Sequence, residues 1–270
     1  MRMTPAVKNL LLINVLCFAA AWVFSTSLRI DLENVLGLHY VTAKDFGPWQ
    51  FVTFMFMHAS VSHIFFNMFA LWMFGTIIES SLGTGRFVAY YLTCGIGSGL
   101  IQQLAVGIDL HPLVVAVDQL MNDPSTANIQ GFLSSHVVAF SAESKMAIEA
   151  FIKEYNDTLG SDPAGAAALA RSFAEQYQAA YVNAQVTVGA SGAVFGVLLA
   201  FGMLFPNMRI MLLFPPIPLK AKWFVIIYGL IELFGGIHGA DYDNVAHWAH
   251  IGGMLFGFVL LRYWRVRRLN

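Results

Sequence analysis

Charge is what this sequence has least of. Of its 270 residues only 11% are Asp, Glu, Lys or Arg, against 57% apolar, whereas a soluble domain carries roughly a quarter charged residues. With a mean hydropathy of +0.64, the chain reads as one solvated mainly by lipid. The formal net charge of −1 excludes the strongly basic surface that a nucleic-acid partner requires, so none is expected. Cysteine is scarce too. Cys17 and Cys94 both sit in apolar runs, which implies no disulfide framework and reads as two buried thiols packing as small hydrophobes. An Arg- or Ser-rich transit segment is missing. Residues 10–24 are apolar but no small-residue cleavage site follows them, so they read as a first membrane helix and not a removable signal. There is no internal repeat, and no low-complexity tract beyond an Ala-rich patch at 164–170.

What is present in quantity is apolar runs. A spanning helix needs about 20 largely apolar residues, and six candidates occur, at 9–27, 62–78, 87–106, 189–205, 223–237 and 245–263. The expectation is an all-α polytopic membrane bundle of six transmembrane helices. The second, fourth and fifth runs are short, which suits helices packed inside the bundle. Basic residues set the orientation. With the N-terminus inside, the inner segments hold Arg2, Lys8, Arg86, Arg209, Lys220, Lys222, Arg262, Arg265, Arg267 and Arg268. The outer ones hold Arg29, Lys44, Lys145, Lys153 and Arg171, a ratio of ten to five. Both termini are therefore expected in the cytoplasm.

The stretch 107–185 is longer and more polar than any other connection. It reads as an extramembrane, helical insertion between the third and fourth spans of a single membrane domain covering 1–270. Within it, 118–130 reads as loop, and 141–180 as helix interrupted at Asp162-Pro163, where a second helix starts.

Three polar clusters stand in apolar helices, where a polar side chain needs a reason. Gly189-Ala190-Ser191-Gly192 opens the fourth span. A helix start offers free N–H groups and positive dipole to a developing oxyanion, but Gly and Ser also serve simply to pack membrane helices closely. In the last span, His250, Gly253 and Gly257 share one helical face by their spacing of three and four. A second helix can approach that nearly bare face. The alternative for His250 is a histidine bonded to a backbone carbonyl. In the second span, His63 and Asn67 are i, i+4, two uncharged donors on one face, suited to oxyanion stabilisation or to bonds between helices. Together the clusters supply a nucleophile, a base and oxyanion donors, the set that acyl-transfer hydrolysis needs.

These motifs resemble the rhomboid family of intramembrane serine proteases. The resemblance rests on His63-x-x-x-Asn67, the Gly-x-Ser-Gly around Ser191, and Ala249-His250 followed by Gly253 and Gly257. It extends to 54–58, to Gly83-Thr84-Gly85-Arg86, to Pro206-Asn207-Met208-Arg209-Ile210 and to the Pro-rich 214–218. It covers five of the six spans, leaving out the first span and the 107–185 insertion. It implies that Ser191 attacks the scissile carbonyl and His250 takes its proton, as a dyad without a carboxylate. It also implies that the Ser191 N–H, His63 and Asn67 form the oxyanion hole. Gly189 and Gly257 would mark the close approach of the fourth and sixth spans, with Gly192 and Gly253 packing beside them. No cofactor or metal is implied. The substrates would be single-span membrane proteins, cut in or near the bilayer, with the site reached by water from the outer side. The compact six-span form resembles bacterial members, which implies an inner (plasma) membrane location. Two departures stand out. Trp49 is followed by Gln50 where many members have Arg, and Phe195 stands where some have Tyr, so it can stack on His250 but donates no hydrogen bond.

Other classes fit less well. A transporter would want paired intramembrane charges. Glu232 is the only acid deep in a span and no basic partner lies beside it in sequence, so it reads as a structural hydrogen bond to a neighbouring helix. A metalloprotease would want His-Glu-x-x-His, which is absent, and His238, His247 and His250 lack ligand spacing. A binding-only relative would be expected to have lost Ser or His.

Overall fold

The computed structural model describes residues 2–211, 217–238, 245–266 and 268. Residues 214–216 of the Pro-rich stretch, the acids Asp241 and Asp243, and Arg267 lie outside the described residues. The order is α1 (Pro5–Val23), closed by a π-helical turn at Phe24–Leu28; α2 (Leu32–Leu36); α3 (Gln50–Thr53); α4 (Val61–Ala70), a π-helical turn at Leu71–Gly75 and α5 (Thr76–Leu82); α6 (Thr84–Asn122); α7 (Thr126–His136); α8 (Ala142–Leu159); α9 (Pro163–Asn183); α10 (Ser191–Leu204); α11 (Ala221–His238); and α12 (His247–Tyr263). It is an all-α membrane architecture. Between α10 and α11, Arg209–Met211 pairs antiparallel with Pro218–Lys220, Ile210 opposite Leu219.

Among the described residues, four stretches are long and apolar enough to cross a membrane: Pro5–Leu28, Val61–Leu82, Thr84–Asn122 and Ala221–His238. The helices α10 and α12, of 14 and 17 residues, are shorter. The chain is an integral membrane protein by this count of apolar helices. Its outward faces agree: Leu16, Trp22, Phe65, Phe66, Leu230, Phe234 and Val259 are exposed, side chains that lipid covers at no cost.

The chain divides into two compact units. The first comprises 1–38, 47–104 and 187–270. Its interior holds Phe54, Leu71, Ile78, Phe87, Tyr90, Tyr91 and Phe201, all essentially without exposure. The start of α1 is held by a residue that the sequence reading passed over. The Glu79 carboxylate accepts from the N–H groups of Ala6 and Val7, each at 2.9 Å, and from the Thr84 hydroxyl at 2.8 Å. The first N–H groups of any helix lack intrahelical partners, and an anion there also meets the positive end of the dipole. Glu79 therefore pins α1 to the turn between α5 and α6, which Gly83 makes at φ +80°.

The second unit comprises 39–46 and 105–186. Its core is aromatic and alanine-rich: Leu113, Leu120, Phe132, Phe151, Tyr155, Ala166, Ala170, Ala174 and Tyr177. Each helix has a side-chain start signal. Ser125 caps α7, Ser141 caps α8 in a reciprocal box with Ser144, and Asp162 caps α9 with Pro163 in its first turn, the arrangement expected of these residue types. Burial raises the pKa of the Tyr177 hydroxyl, which accepts from the Val138 N–H at 2.9 Å.

Two expectations need correction. The stretch 118–130 is not loop, since α6 runs on to Asn122 and α7 starts at Thr126, leaving only 123–125 outside helix. The helix that carries the third span likewise does not stop near 106, because α6 runs unbroken for 39 residues from Thr84 to Asn122 with Pro112 inside it. The sequence there turns polar without losing its helix formers. Hydropathy reports the medium around a helix and not whether its backbone hydrogen bonds persist.

Candidate functional site

Four helices of the first unit bring the polar clusters together. The hydroxyl of Ser60 accepts from the His63 N–H at 3.1 Å and so starts α4 at Val61. This places His63 in the first turn and Asn67 one turn on, on the same face. Before α10, Gly189 has φ +129°, a conformation that strains any residue with a Cβ. Its N–H donates to the Phe54 carbonyl at 2.9 Å. That bend turns the chain into α10 at Ser191, so the serine lies in the first helical turn.

On α12, the His250 N–H donates to the Ala246 carbonyl at 3.2 Å, which places His247 at the start of the helix and His250 one turn in. His250 is buried and Ser191 half-buried. The Ser191 Oγ lies 2.7 Å from His250 Nε2. The Phe195 ring stacks on the imidazole at 4.2 Å between centroids and 8° between planes, fixing its plane.

The close approach of α10 and α12 is made by missing side chains. A Cβ on Gly253 would run into the backbone carbonyl of Gly192, one on Gly196 would approach the Gly253 carbonyl at 3.0 Å, and one on Gly192 would lie 3.2 Å from the Ala249 carbonyl. The seam is thus Gly192 and Gly196 against Ala249 and Gly253. Gly189 and Gly257 do not mark it, contrary to expectation. The space at Gly189 is taken by the His63 ring, and the space at Gly257 by Tyr90 and Cys94 of α6. The Tyr90 hydroxyl also donates to the Gly196 carbonyl at 2.7 Å.

Asn67 is buried and its Nδ2 is a buried donor without a hydrogen-bond partner. Leaving such a group unpaired is costly, and an arriving oxyanion would supply the missing acceptor. His63 sits against Gly189, with the His58 ring edge-on to it at 5.0 Å. Burial first, and the neighbouring His63 second, push His58 down to about 4, so it stands neutral there. Gln50, at the position that departs from the family pattern, is buried and donates from Nε2 to the Val35 carbonyl at 3.2 Å.

The sequence reading left His250 without a carboxylate. The structure corrects this. Glu232 of α11, buried, places Oε2 at 2.8 Å from His250 Nδ1 and 2.6 Å from His247 Nδ1. The two histidines are the partners that the linear sequence hid. A carboxylate in this contact only accepts, so Nδ1 of His250 carries the proton and Nε2 is left as an acceptor facing Ser191. The signal for Glu232 was present on α11. Gly229, Glu232, Gly235 and Gly236 recur at three to four residues, a small-residue face bearing one acid. The Gly235 position is filled by the His247 ring, and Gly236 meets the Trp248 ring.

Glu232, His247 and His250 offer donor atoms within 4.8 Å of one another, residue types that hold zinc. Ligand atoms about 2.0–2.1 Å from one tetrahedral zinc, however, stand about 3.3 Å apart. The separations of 2.6 and 2.8 Å are hydrogen bonds instead. His238 is not part of the cluster, its ring stacking on Phe234 at 4.4 Å.

Comparison with known proteins agrees with this architecture. The model of the Rhomboid domain matches residues 45–113 and 128–267. Among curated proteins, the chain is 36% identical over 58 residues to the rhomboid protease GlpG of Salmonella choleraesuis, covering 22% of this chain and 21% of that protein. It is 42% identical over 48 residues to the rhomboid protease GluP of Bacillus subtilis, covering 18% of this chain and 10% of that protein. The aligned stretches thus span about a fifth and a tenth of those relatives. The domain match covers most of the chain, and the chain belongs to the rhomboid family.

Proposed function

We propose that this protein is an intramembrane serine endopeptidase in which Ser191 is the nucleophile and His250 the general base. The carrying observation is the 2.7 Å contact between Ser191 Oγ and His250 Nε2, made across a seam too tight to let the two helices drift. In the first step the Ser191 oxygen bonds to the scissile carbonyl carbon while its proton passes to His250 Nε2. The Ser191 N–H, Asn67 Nδ2 and His63 receive the oxyanion. Collapse of that intermediate breaks the C–N bond, and His250 gives its proton to the leaving amine. Water then attacks the acyl-serine with the same base, restoring the hydroxyl.

The substrates are single-span membrane proteins cut in or beside the bilayer. The excess of basic residues on one set of segments supports both termini in the cytoplasm of a bacterial inner membrane and a site open to the outer side. The 107–185 insertion lies outside the bilayer on that reading.

The test is cleavage of a single-span reporter by purified protein in liposomes. Ser191→Ala and His250→Ala each abolish cleavage, and wild-type turnover in Ser191→Ala would overturn the assignment. Asn67→Ala lowers turnover by about 10²–10³, the usual worth of one oxyanion donor. A chelator leaves the rate unchanged.

A further inference from the structure

We infer that Glu232 is a positioning residue for catalysis: its carboxylate, shared between His250 and His247, fixes the His250 tautomer and offsets the charge that His250 gains during turnover, which makes the site a Ser–His–Glu triad. This rests on the assignment of Ser191 and His250 above.

An ionised acid in an apolar helix is expensive unless it is paired, and Glu232 is paired on one oxygen by two ring N–H groups. A structural bond alone needs one donor. The second donor here belongs to the residue whose other nitrogen meets the nucleophile. The chain of contacts Glu232 Oε2, His250 Nδ1, His250 Nε2, Ser191 Oγ has links of 2.8 and 2.7 Å on either side of the ring. Rotation of the ring is blocked by Phe195 stacked on its face. Without an acceptor at Nδ1, the neutral ring could place its proton on Nε2, where it cannot accept from Ser191. With Glu232 in place that tautomer is disfavoured. When Nε2 takes the serine proton, the imidazolium faces an anion. The carboxylate itself keeps no proton, as in other acid–base–nucleophile triads.

His247 makes the anion a shared one. It opens α12, is half-buried, and its ring occupies the space left by Gly235. Among the described residues, the titratable groups facing His250 are Glu232 from α11, His247 on its own helix, and His63 of α4, which lies within electrostatic reach. Tyr228 stands behind Phe195 at 6.4 Å. Protonation of His247 draws the carboxylate away from His250 and places a positive charge beside it. Removal of Glu232 and removal of His247 therefore act on His250 in opposite directions.

The experiment measures kcat and KM against pH for the full chain in liposomes. Glu232→Gln, which keeps the side-chain volume, lowers kcat by at least about tenfold and by as much as about 10⁴-fold, the range seen when a triad acid is made neutral. KM is unchanged and the acidic limb of kcat/KM moves to lower pH. His247→Gln lowers kcat less and moves the limb to higher pH. Glu232→Gln with wild-type kcat and an unmoved limb overturns the inference while leaving Ser191 and His250 in place, provided Ser191→Ala is inactive. If Glu232→Gln does not fold, His247→Gln decides alone, and an unmoved limb overturns the inference. Cleavage that survives Ser191→Ala is a failure of the underlying assignment and not of this one.

Discussion

Two pairs of helices in this chain solve the same problem in opposite ways. In the first unit, α10 meets α12 through Gly192, Gly196, Ala249 and Gly253, backbone against backbone. In the second, α8 meets α9 through large rings: Phe151 stacks on Phe173 at 4.0 Å and 6°, with Tyr155 and Tyr177 beside them and Ala166, Ala170 and Ala174 making room. Lipid is as apolar as leucine, so burying large side chains gives helices in a membrane little reason to associate, whereas close backbone approach maximises dispersion contacts. On the proposed placement of the second unit outside the bilayer, aromatic burial is itself the driving force. The seam that holds the Ser191–His250 contact is the one with no side chains to rearrange. Its geometry is set by backbone, which is stiffer than any rotamer.

The largest expected effect tests that stiffness. In Gly253→Ala, the new Cβ runs into the Gly192 carbonyl, and backbone cannot yield as a flexible side chain would. The two helices must separate, and Ser191 and His250 with them. A misplacement of about 1 Å costs on the order of 10²-fold in turnover. The reporter assay, run on folded protein isolated by size exclusion, gives that ratio. Wild-type turnover would show that the seam is looser than its glycines imply. A matched alanine at the exposed Gly131, which meets no atom within 4 Å, should change nothing.

How much of this was legible in the sequence differs between the same two regions. The seam was readable in outline, because Gly253 and Gly257 follow His250 at helical spacing. Which glycine faces which helix was not, since that depends on how far α6 intrudes: Tyr90 and Cys94 claim Gly257, and His63 claims Gly189. Glu232 was legible as an acid bonded to a neighbouring helix, which it is, but its partners were not, because they lie 15 and 18 residues away on a helix whose rotation about α11 no linear pattern states. In the second unit the caps at Ser141 and Asp162 were legible as local chemistry. The run of α6 through Pro112 to Asn122 was not, because a fall in hydropathy carries no signal of whether a helix continues.

A middle-sized effect is expected at Glu79, which belongs to neither seam. Glu79→Ala orphans the N–H groups of Ala6 and Val7 and the Thr84 hydroxyl. Bonds to a charged acceptor are worth about 1.5–3 kcal/mol each at best, and helix caps about 0.5–2 kcal/mol. A loss of about 2 kcal/mol in stability is expected, read as a lower midpoint of unfolding in a mild detergent titrated with a denaturing one. Turnover of the folded fraction should fall only slightly, since α1 carries none of the residues to which a catalytic role is proposed. A fall as large as that of Gly253→Ala would mean that α1 positions the site.

The smallest effect on turnover is expected where the loss of stability is greatest. Phe151→Ala removes a buried ring from the aromatic core of the second unit and leaves a cavity, at a cost of about 3–5 kcal/mol. The damage should be local. Hydrogen exchange should rise through α8 and α9 while α10 and α12 keep their protection, because each unit has its own core and cooperative units open separately. Cleavage of the reporter should continue at the wild-type rate, with loss of Ser191 still abolishing it. If turnover falls with the stability of α8 and α9, the aromatic unit is part of what holds the α10–α12 seam, and the contrast between the two ways of packing helices becomes a coupling between them.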